Sequence, residues 1–304
     1  MSTFGLANLI HPRLPESLLD GNWSKRPFVV HGLNESIREI RALPFLASLE
    51  DLLAYWPDPI GVHLPDVADE SSSIEARSPE AHKLFKNGMG LLFNNVEKRS
   101  SVLTSALQNI REDLGLPAMT YGRSIVYATP DGKGTAPHFD QNINFVLQLH
   151  GTKKWWLAEN ESVENPTERY TIGQPVHPEL ASYLPGTLPT EMPAERLSFT
   201  LAPGSMLFVP RGYWHSTEAD GDALALNFTY TQPTWIDLFL VALRSRLSLS
   251  PEWRELADGV GSSLAARRER GTAEFDALLG ELVSDLPNWR AADILGATET
   301  TTEP

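Results

Sequence analysis

The spacing of apolar residues changes character twice along the chain. Residues 98–116, KRSSVLTSALQNIREDLGL, place apolar side chains at three- and four-residue intervals, which predicts an amphipathic helix. Helical spacing also occurs earlier, at 34–43 and 44–56, where acidic residues stand near the start of each segment. The polar and acidic stretch 66–85 predicts an exposed loop. We therefore expect helices with a few short strands in the N-terminal part, 1–119.

From residue 120 the apolar positions contract to short runs typical of strands. Such runs, separated by turn-forming residues (DGKG, HG, APGS, PRG and ADGD), occur at 123–130, 142–150, 153–159, 196–212 and 223–231. Five or more short strands with such turns predict an antiparallel sandwich or barrel, over 120–232. Within it, the proline-rich insert 158–195 predicts an irregular functional loop.

The C-terminal part returns to helical patterns. Residues 234–249 are apolar on nearly every face, so we expect this helix to be buried. A second helix is predicted at 273–286. The helical region is assigned to 233–293, and the polar tail 294–304 is expected to be disordered.

Composition narrows the classes of function. The 304 residues include no cysteine, which excludes disulfides, thiolate catalysis and cysteine-ligated zinc. The formal charge of -14 disfavours nucleic acid as a partner, because affinity for phosphate comes from clustered lysine and arginine. We find no signal-peptide pattern and no apolar run of membrane-spanning length. A cytoplasmic enzyme or binding protein, with no nucleic-acid or membrane partner, is the expectation.

Polar side chains interrupt the strand-like runs at two places. His138 and Asp140 stand two residues apart, and alternate residues of a strand point to the same face. His215 follows the tight turn PRG and precedes the run 223–231. Two histidines and one carboxylate form the ligand set that holds Fe(II) on one face and leaves other positions open. Each feature also occurs among ordinary surface or structural residues, so both interpretations stay open here.

Two adjacent lysines, Lys153 and Lys154, begin another strand-like run. Neighbouring residues of a strand face opposite sides, so only one of them needs to point inward. A lysine inside a sheet is costly unless an anion pairs with it, such as the carboxylate of an anionic co-substrate. The alternative is that both lysines are exposed at the start of the strand.

These positions together resemble the JmjC-type cupin oxygenases, and most of all the factor-inhibiting-HIF and JMJD5-like protein hydroxylases. The sequence matches that family in the order of three features: the HxD pair at His138, a lysine fifteen residues after His138, and a histidine 77 residues after it. The segment PGSMLFVPRGYWHSTEA resembles the family segment that carries the last iron ligand. The resemblance covers most of 120–231. It implies a mainly β protein with a double-stranded β-helix (jelly-roll or cupin) core, N-terminal α/β elements and C-terminal helices.

The same resemblance implies Fe(II) as the metal, with 2-oxoglutarate and O2 as co-substrates. Its iron ligands fall on His138, Asp140 and His215. Its co-substrate contacts fall on Thr135 and Lys153, at the far carboxylate, and on Asn144 and Asn227. The family tyrosine on an earlier strand is missing around 88–95, where Phe93 has no hydroxyl, so Tyr127 is expected to line the pocket or donate instead.

The implied reaction is hydroxylation of a C–H bond in a peptide or protein side chain, with release of succinate and CO2. A free amino acid or a small natural-product intermediate is the alternative substrate, and demethylation is a further variant. A cupin that binds metal without turnover is the alternative outside enzymology. The resembled hydroxylases form homodimers through C-terminal helices, so a homodimer is expected.

Overall fold

The computed structural model describes residues 3–19, 23–63 and 73–299. These residues form two compact units. One contains the described residues up to 116 together with 121–231, and the other contains 117–120 and the described residues after 231. The N-terminal elements and the predicted β core therefore belong to one unit, and the C-terminal helices form the second.

The first unit contains a large antiparallel sheet with helices before and beside it. Its strands are β1 (Phe28–Val30), β2 (Ile60–His63), β3 (Ser73–Ala76), β4 (Gly90–Asn94), β5 (Tyr121–Thr129), β6 (Gly134–Phe139), β7 (Ile143–Ala158), β8 (Tyr170–Thr171), β9 (Leu197–Leu201), β10 (Met206–Val209) and β11 (Trp214–Thr231). Its α-helices are α1 (Leu6–Ile10), α2 (Pro15–Leu19), α3 (Arg38–Arg41), α4 (Leu49–Tyr55), α5 (Ser78–Lys86), α6 (Ser101–Asp113) and α7 (Pro178–Tyr183). Short 3₁₀ helices occur at Trp23–Lys25, Pro44–Leu46 and Val96–Arg99.

The second unit is helical. It contains α8 (Trp235–Leu247), α9 (Ala265–Asp285) and α10 (Ala291–Glu299), with 3₁₀ helices at Glu252–Arg254 and Leu286–Asn288. Arg246 of α8 forms an ion pair with Asp285 at the end of α9. Helix α9 contains residues 273–285 of the helix predicted at 273–286 and begins eight residues earlier than expected.

Two long strands connect the two layers of the β core. Strands β7 and β11, of 16 and 18 residues, pair antiparallel along most of their length. The first half of β7 and the last half of β11 belong to a layer in which the strands are ordered β1-β10-β7-β11-β5-β4-β2-β3. Their other halves belong to a second layer, in which β9 pairs with β7, β11 with β6, and β6 with β8. This two-layer arrangement confirms the predicted double-stranded β-helix core with flanking helices.

The expected turns at HG and ADGD are wrong, because both long strands continue through them. Gly151 bends β7 with a φ of 66°, and the pairing register of β11 shifts between Asp220 and Leu224. A Cβ at Gly151 would lie 2.1 Å from the carbonyl oxygen of Asp222. Glycine here serves a bulge and a close approach of two strands, rather than a chain reversal.

Alternation along β7 separates two hydrophobic clusters. Phe145 and Leu147 belong to a large cluster that the first layer forms with the N-terminal helices, including Leu52 and Leu103. Val146, between them, belongs to a smaller cluster on the opposite face of the layer. Because the large cluster covers one face of the sheet, the other face is free to line a cavity between the layers.

Two further expectations are corrected within the described residues. The loop predicted at 66–85 contains β3 and α5 from Ser73 onward, because Ala81 and Phe85 recur at helical spacing and are buried. The disordered tail predicted at 294–304 is helical as far as Glu299. Residues 64–72 and 300–304 lie outside the described residues.

Helix α8 does not bury its apolar faces as expected. Trp235, Ile236 and Leu240 are 80%, 66% and 53% exposed, whereas Leu238 and Ala242 are buried. The described chain thus covers one face of this helix and leaves the others to solvent. None of the helices that the structure describes has both the length and the apolar character needed to cross a bilayer.

Candidate functional site

A cavity lies between the two layers of the β core. It contains about 470 Å³ of empty space, including the part open to solvent. The eight residues singled out in the sequence all line it: Tyr127, Thr135, His138, Asp140, Asn144, Lys153, His215 and Asn227. The rest of the wall consists of Val146, Trp155, Val209, Thr217 and Ala225. Residues separated by up to 100 positions in the chain are thus brought to one place.

Three of these side chains form a candidate metal site. His138 lies near the end of β6 and pairs with His215 on β11, and Asp140 follows directly after β6. The Oδ2 atom of Asp140 is 3.9 Å from Nε2 of His138 and 3.6 Å from Nε2 of His215. One ligand atom from each residue lies within 4.8 Å of the others. The two ladder-paired histidines and the adjacent carboxylate therefore converge on one point.

The backbone orients both imidazole rings. Nδ1 of His138 is 2.7 Å from the carbonyl oxygen of Ala136, and Nδ1 of His215 is 2.9 Å from that of Tyr213. A carbonyl oxygen can only accept, so each Nδ1 donates its proton. Each Nε2 then keeps a lone pair for a metal, which is the usual outer hydrogen bond of a metal-binding histidine. Both rings are almost fully buried.

The charge of Asp140 depends on its neighbours. Burial by itself would raise the pKa of this carboxyl group, but its electrostatic interactions with four neighbouring basic side chains outweigh burial and hold the pKa below its usual range. The groups responsible, in decreasing order, are His138, Arg169, His215 and Arg123. Asp140 is therefore ionised at neutral pH, as a metal ligand must be.

A buried lysine lines the same cavity. Lys153 is 4% exposed, whereas Lys154 is exposed, so the inward side chain is Lys153. Its Nζ donates a 2.9 Å hydrogen bond to Oγ1 of Thr129 and lies 6.0 and 5.9 Å from the ring centres of Tyr127 and Trp155. A cation held between two aromatic faces in a cavity is a suitable contact for an anionic group.

Thr135 is held by a second threonine. Its backbone N–H donates to Oγ1 of Thr217 at 3.1 Å, and the two hydroxyl oxygens are 3.0 Å apart. Strand β6 approaches β11 so closely here that a Cβ on Gly134 would lie 1.7 Å from the carbonyl oxygen of Thr217. Thr217 was missed in the sequence, although it stands two positions after His215 and alternation could have found it.

Two asparagines form a buried pair on adjacent strands. Nδ2 of Asn227 donates to Oδ1 of Asn144 at 2.9 Å, and both residues are at least 94% buried. The remaining Oδ1 of Asn227 accepts no hydrogen bond from any part of the chain that the structure describes. Buried acceptors usually have partners, so this oxygen is suited to a bound molecule in the cavity.

Two other residues near the triad make contacts that sequence reasoning did not find. The ring of Trp155 stacks over His215, with 5.9 Å between centres and 22° between planes. Its position two residues after Lys153 could have indicated this. Arg169, in the insert, has Nε 3.6 Å from Oδ1 of Asp140. Nothing in the local sequence around Arg169 indicates that contact.

Comparison with known proteins supplies an independent line of evidence. The sequence profile of the JmjC domain matches residues 105–238. The chain is 37% identical over 258 residues to the uncharacterized protein YxbC of Bacillus subtilis, covering 83% of this chain and 78% of that protein. It is 28% identical over 317 residues to ribosomal oxygenase 1 of Danio rerio, covering 94% of this chain. The match spans about half of the zebrafish protein, 54% of its length.

Solved structures share the fold. An X-ray structure of E. coli ycfD matches with a TM-score of 0.54 and 18% identity, covering 88% of this chain and 68% of that one. The E. coli ribosomal oxygenase YcfD in complex with cobalt and 2-oxoglutarate matches with a TM-score of 0.51 and 18% identity, covering 87% and 66%. At this identity the likeness concerns the arrangement of the chain.

Proposed function

Because the chain belongs to the JmjC-domain family of 2-oxoglutarate-dependent oxygenases, we propose that it hydroxylates a C–H bond in a peptide or protein side chain. The proposed reaction consumes the C–H substrate, 2-oxoglutarate and O2, and it yields the alcohol, succinate and CO2. The observation that carries this proposal is the meeting of the His138–Asp140–His215 triad with Lys153 in one cavity.

Fe(II) is the metal we propose for the triad. The donor set fits it, since two imidazole nitrogens with free lone pairs and one ionised carboxylate converge there, and the chain has no thiolate. When bound, ferrous iron in such a set offers open positions to co-substrate and oxygen and supplies the oxidising chemistry. The β6–β11 ladder and the two backbone carbonyls hold the ligand atoms of His138 and His215 in place. Asp140 is held beside them because it directly follows β6.

The other polar residues of the cavity are proposed to bind 2-oxoglutarate. Lys153 would pair with its far carboxylate, and the hydroxyl of Thr135 would donate to the same group. Tyr127 would pack beside the carbon chain, next to the ammonium of Lys153. The Asn144–Asn227 pair would orient the co-substrate from the neighbouring wall, where Asn227 keeps a buried acceptor. A co-substrate so held needs little further ordering before reaction.

A surface groove at the start of β11 supports a peptide rather than a small metabolite. It is lined by Tyr213 and Trp214, which directly precede His215 in the chain, and contains about 1,470 Å³, including space open to solvent. Its walls include Glu159, Glu161, Glu195, Arg196, Tyr213 and Trp214. The insert 158–195 carries seven glutamates and one arginine. This excess of negative charge favours a basic segment of the substrate protein.

The phenol of Tyr213 gives the groove a fixed hydrogen-bond group. Its hydroxyl donates to Oε1 of Glu159 at 3.1 Å. Burial and this hydrogen bond raise the pKa of Tyr213 to about 12, so the phenol stays protonated across the physiological range. Glu159 is thereby held at the edge of the groove as an acceptor for a substrate N–H.

The experiment is turnover of purified protein with Fe(II) and 2-oxoglutarate, following succinate by NMR. A digest of cellular proteins is then offered as substrate, and peptides that gain about 16 mass units are identified by mass spectrometry. Hydroxylation of a free amino acid but of no peptide would support the small-molecule alternative. If neither succinate nor 2-oxoglutarate binding were detected, a non-catalytic cupin would be the better interpretation.

We also propose a homodimer that acts in the cytoplasm. The support for the dimer lies in the second unit, where Trp235, Leu249 and Leu256 are 80%, 81% and 92% exposed. Large exposed apolar side chains on neighbouring segments are typical of association surfaces. Light scattering should give twice the 33.7 kDa mass of the chain, and Leu240→Glu on α8 should halve it. A wild-type protein that elutes at the mass of one chain would refute the dimer.

A further inference from the structure

The two carboxylate oxygens of Asp140 face different groups. Oδ2 faces the histidines, 3.9 and 3.6 Å from Nε2 of His138 and His215. Oδ1 faces the guanidinium of Arg169, with 3.6 Å to its Nε. This distance is that of an ion pair rather than of a hydrogen bond. The carboxylate is therefore divided between the two histidines of the triad, which face Oδ2, and Arg169, which faces Oδ1.

Arg169 reaches this position because the insert is tied to the strand that carries His138. It directly precedes β8, whose Thr171 pairs with His138. The N–H of Ile172 adds a 3.0 Å hydrogen bond to the carbonyl of Pro137. The earlier part of the insert is held by Arg211, which donates to the carbonyls at 165 and 166, each at 2.9 Å. Arg169 is thus positioned by the β6–β8 pairing, which also includes the candidate metal ligand His138.

Charge makes this placement unusual within the insert. Among residues 158–195, Arg169 is the one lysine or arginine, beside seven glutamates. Arg169 is 28% and Asp140 20% exposed, so the pair is partly shielded from water. In an insert rich in carboxylates, the single guanidinium lies against the carboxylate of the triad.

We propose that Arg169 is a positioning residue that occupies Oδ1 of Asp140 and so presents Oδ2, alone, to the metal. The terminal torsion of an aspartate is broad, so without a partner on Oδ1 the carboxylate could rotate or offer both oxygens. Outer partners of metal-binding carboxylates commonly act in this way, and their loss weakens metal binding. In this role Arg169 acts through Asp140.

Positioning and simple charge predict opposite effects on metal affinity. A guanidinium close to the site repels a dication, so removing its charge alone would tighten binding. Removing a positioning contact would weaken binding, by about tenfold or more. The sign of the change therefore separates the two explanations.

This inference rests on the proposed metal site, and its test needs no turnover. Co(II) is titrated into wild-type protein, Arg169→Met, Arg169→Lys and the control Arg196→Met, which removes the same charge from an exposed arginine directly after the insert. Affinity is measured by calorimetry, and the ligand geometry by the visible absorption of Co(II). Thermal unfolding without metal shows whether each variant folds.

We expect about tenfold weaker Co(II) binding and altered absorption bands for Arg169→Met, with a smaller loss for Arg169→Lys. Arg196→Met should match the wild type. Equal or tighter binding by Arg169→Met, with unchanged bands, would overturn the positioning role while leaving the proposed function intact. Absence of Co(II) binding by the wild type would overturn both. If Arg169→Met fails to fold, Arg169→Lys decides: unchanged affinity and spectrum refute the role.

Discussion

The substitution Lys153→Met tests the proposed co-substrate site most directly. Methionine keeps an unbranched side chain between the rings of Tyr127 and Trp155, but it removes the ammonium group that lies 6.0 and 5.9 Å from their centres. No cavity is created, so a change in binding would report the lost charge. The exposed neighbour Lys154 supplies the matched control, Lys154→Met.

The magnitude follows from the burial of Lys153. A hydrogen bond to a charged group contributes about 1.5–3 kcal/mol. Because Lys153 is only 4% exposed, its proposed contact with the far carboxylate of 2-oxoglutarate is well shielded from water. At about 1.4 kcal/mol for each tenfold change, the dissociation constant for 2-oxoglutarate should rise roughly 10- to 150-fold. The free energy of unfolding without ligand should stay within about 1 kcal/mol of the wild type, because a buried cation is costly to desolvate.

Calorimetry with Mn(II) in place of iron, without oxygen, measures 2-oxoglutarate binding apart from turnover. Lys153→Met should weaken this binding, and Lys154→Met should leave it unchanged. The reasoning is refuted if Lys153→Met binds 2-oxoglutarate as the wild type does. A loss confined to Lys154→Met would mean that the other lysine faces the co-substrate.

Three further predictions concern the triad, the fold and pH. Asp140→Ala should abolish the rise in melting temperature that Co(II) gives the wild type, and a persisting rise would contradict the ligand set. Gly151→Ala should destabilise by about 3 kcal/mol or more in urea unfolding, since its φ is 66° and its Cβ would meet a carbonyl at 2.1 Å. Gly186→Ala, in open space, is its control, and equal stability of the two would refute this account. Burial raises the pKa of Tyr230 well above 10, so its contribution to stability is complete below pH 10 and is lost as the pH rises further. Tyr230→Phe should make this alkaline decline shallower, as followed by circular dichroism.

Local sequence predicted the site residues well where they lie only a few positions apart in the chain. The two-residue separation of His138 and Asp140 indicated a shared face. Alternation indicated that only one of Lys153 and Lys154 needs to face inward, and the family resemblance favoured Lys153. The family resemblance supplied the order in which distant residues had to meet. The structure places all eight singled-out residues in one cavity, and it confirms the double-stranded β-helix core.

Turn-forming residues led to wrong predictions of turns inside the two long strands, β7 and β11. Gly151 and Gly221 have positive φ, as in hairpin turns, but each lies within a strand that crosses from one layer to the other. A dipeptide such as HG has the same backbone preference in a bulge as in a turn. Which of the two forms depends on the partner strand, and this information is not local.

The sequence by itself determined which side chains could bind a metal or a carboxylate, since side-chain type and short spacing decide which atoms are available, and its resemblance to a known family indicated the class of protein. Only the tertiary structure decided that Arg169 faces Asp140, because the pairing of β8 with β6 brings the insert there. It also decided that α8 exposes most of its apolar surface. Contacts between distant segments depend on which surfaces pack and pair, and a single stretch of sequence does not contain both partners.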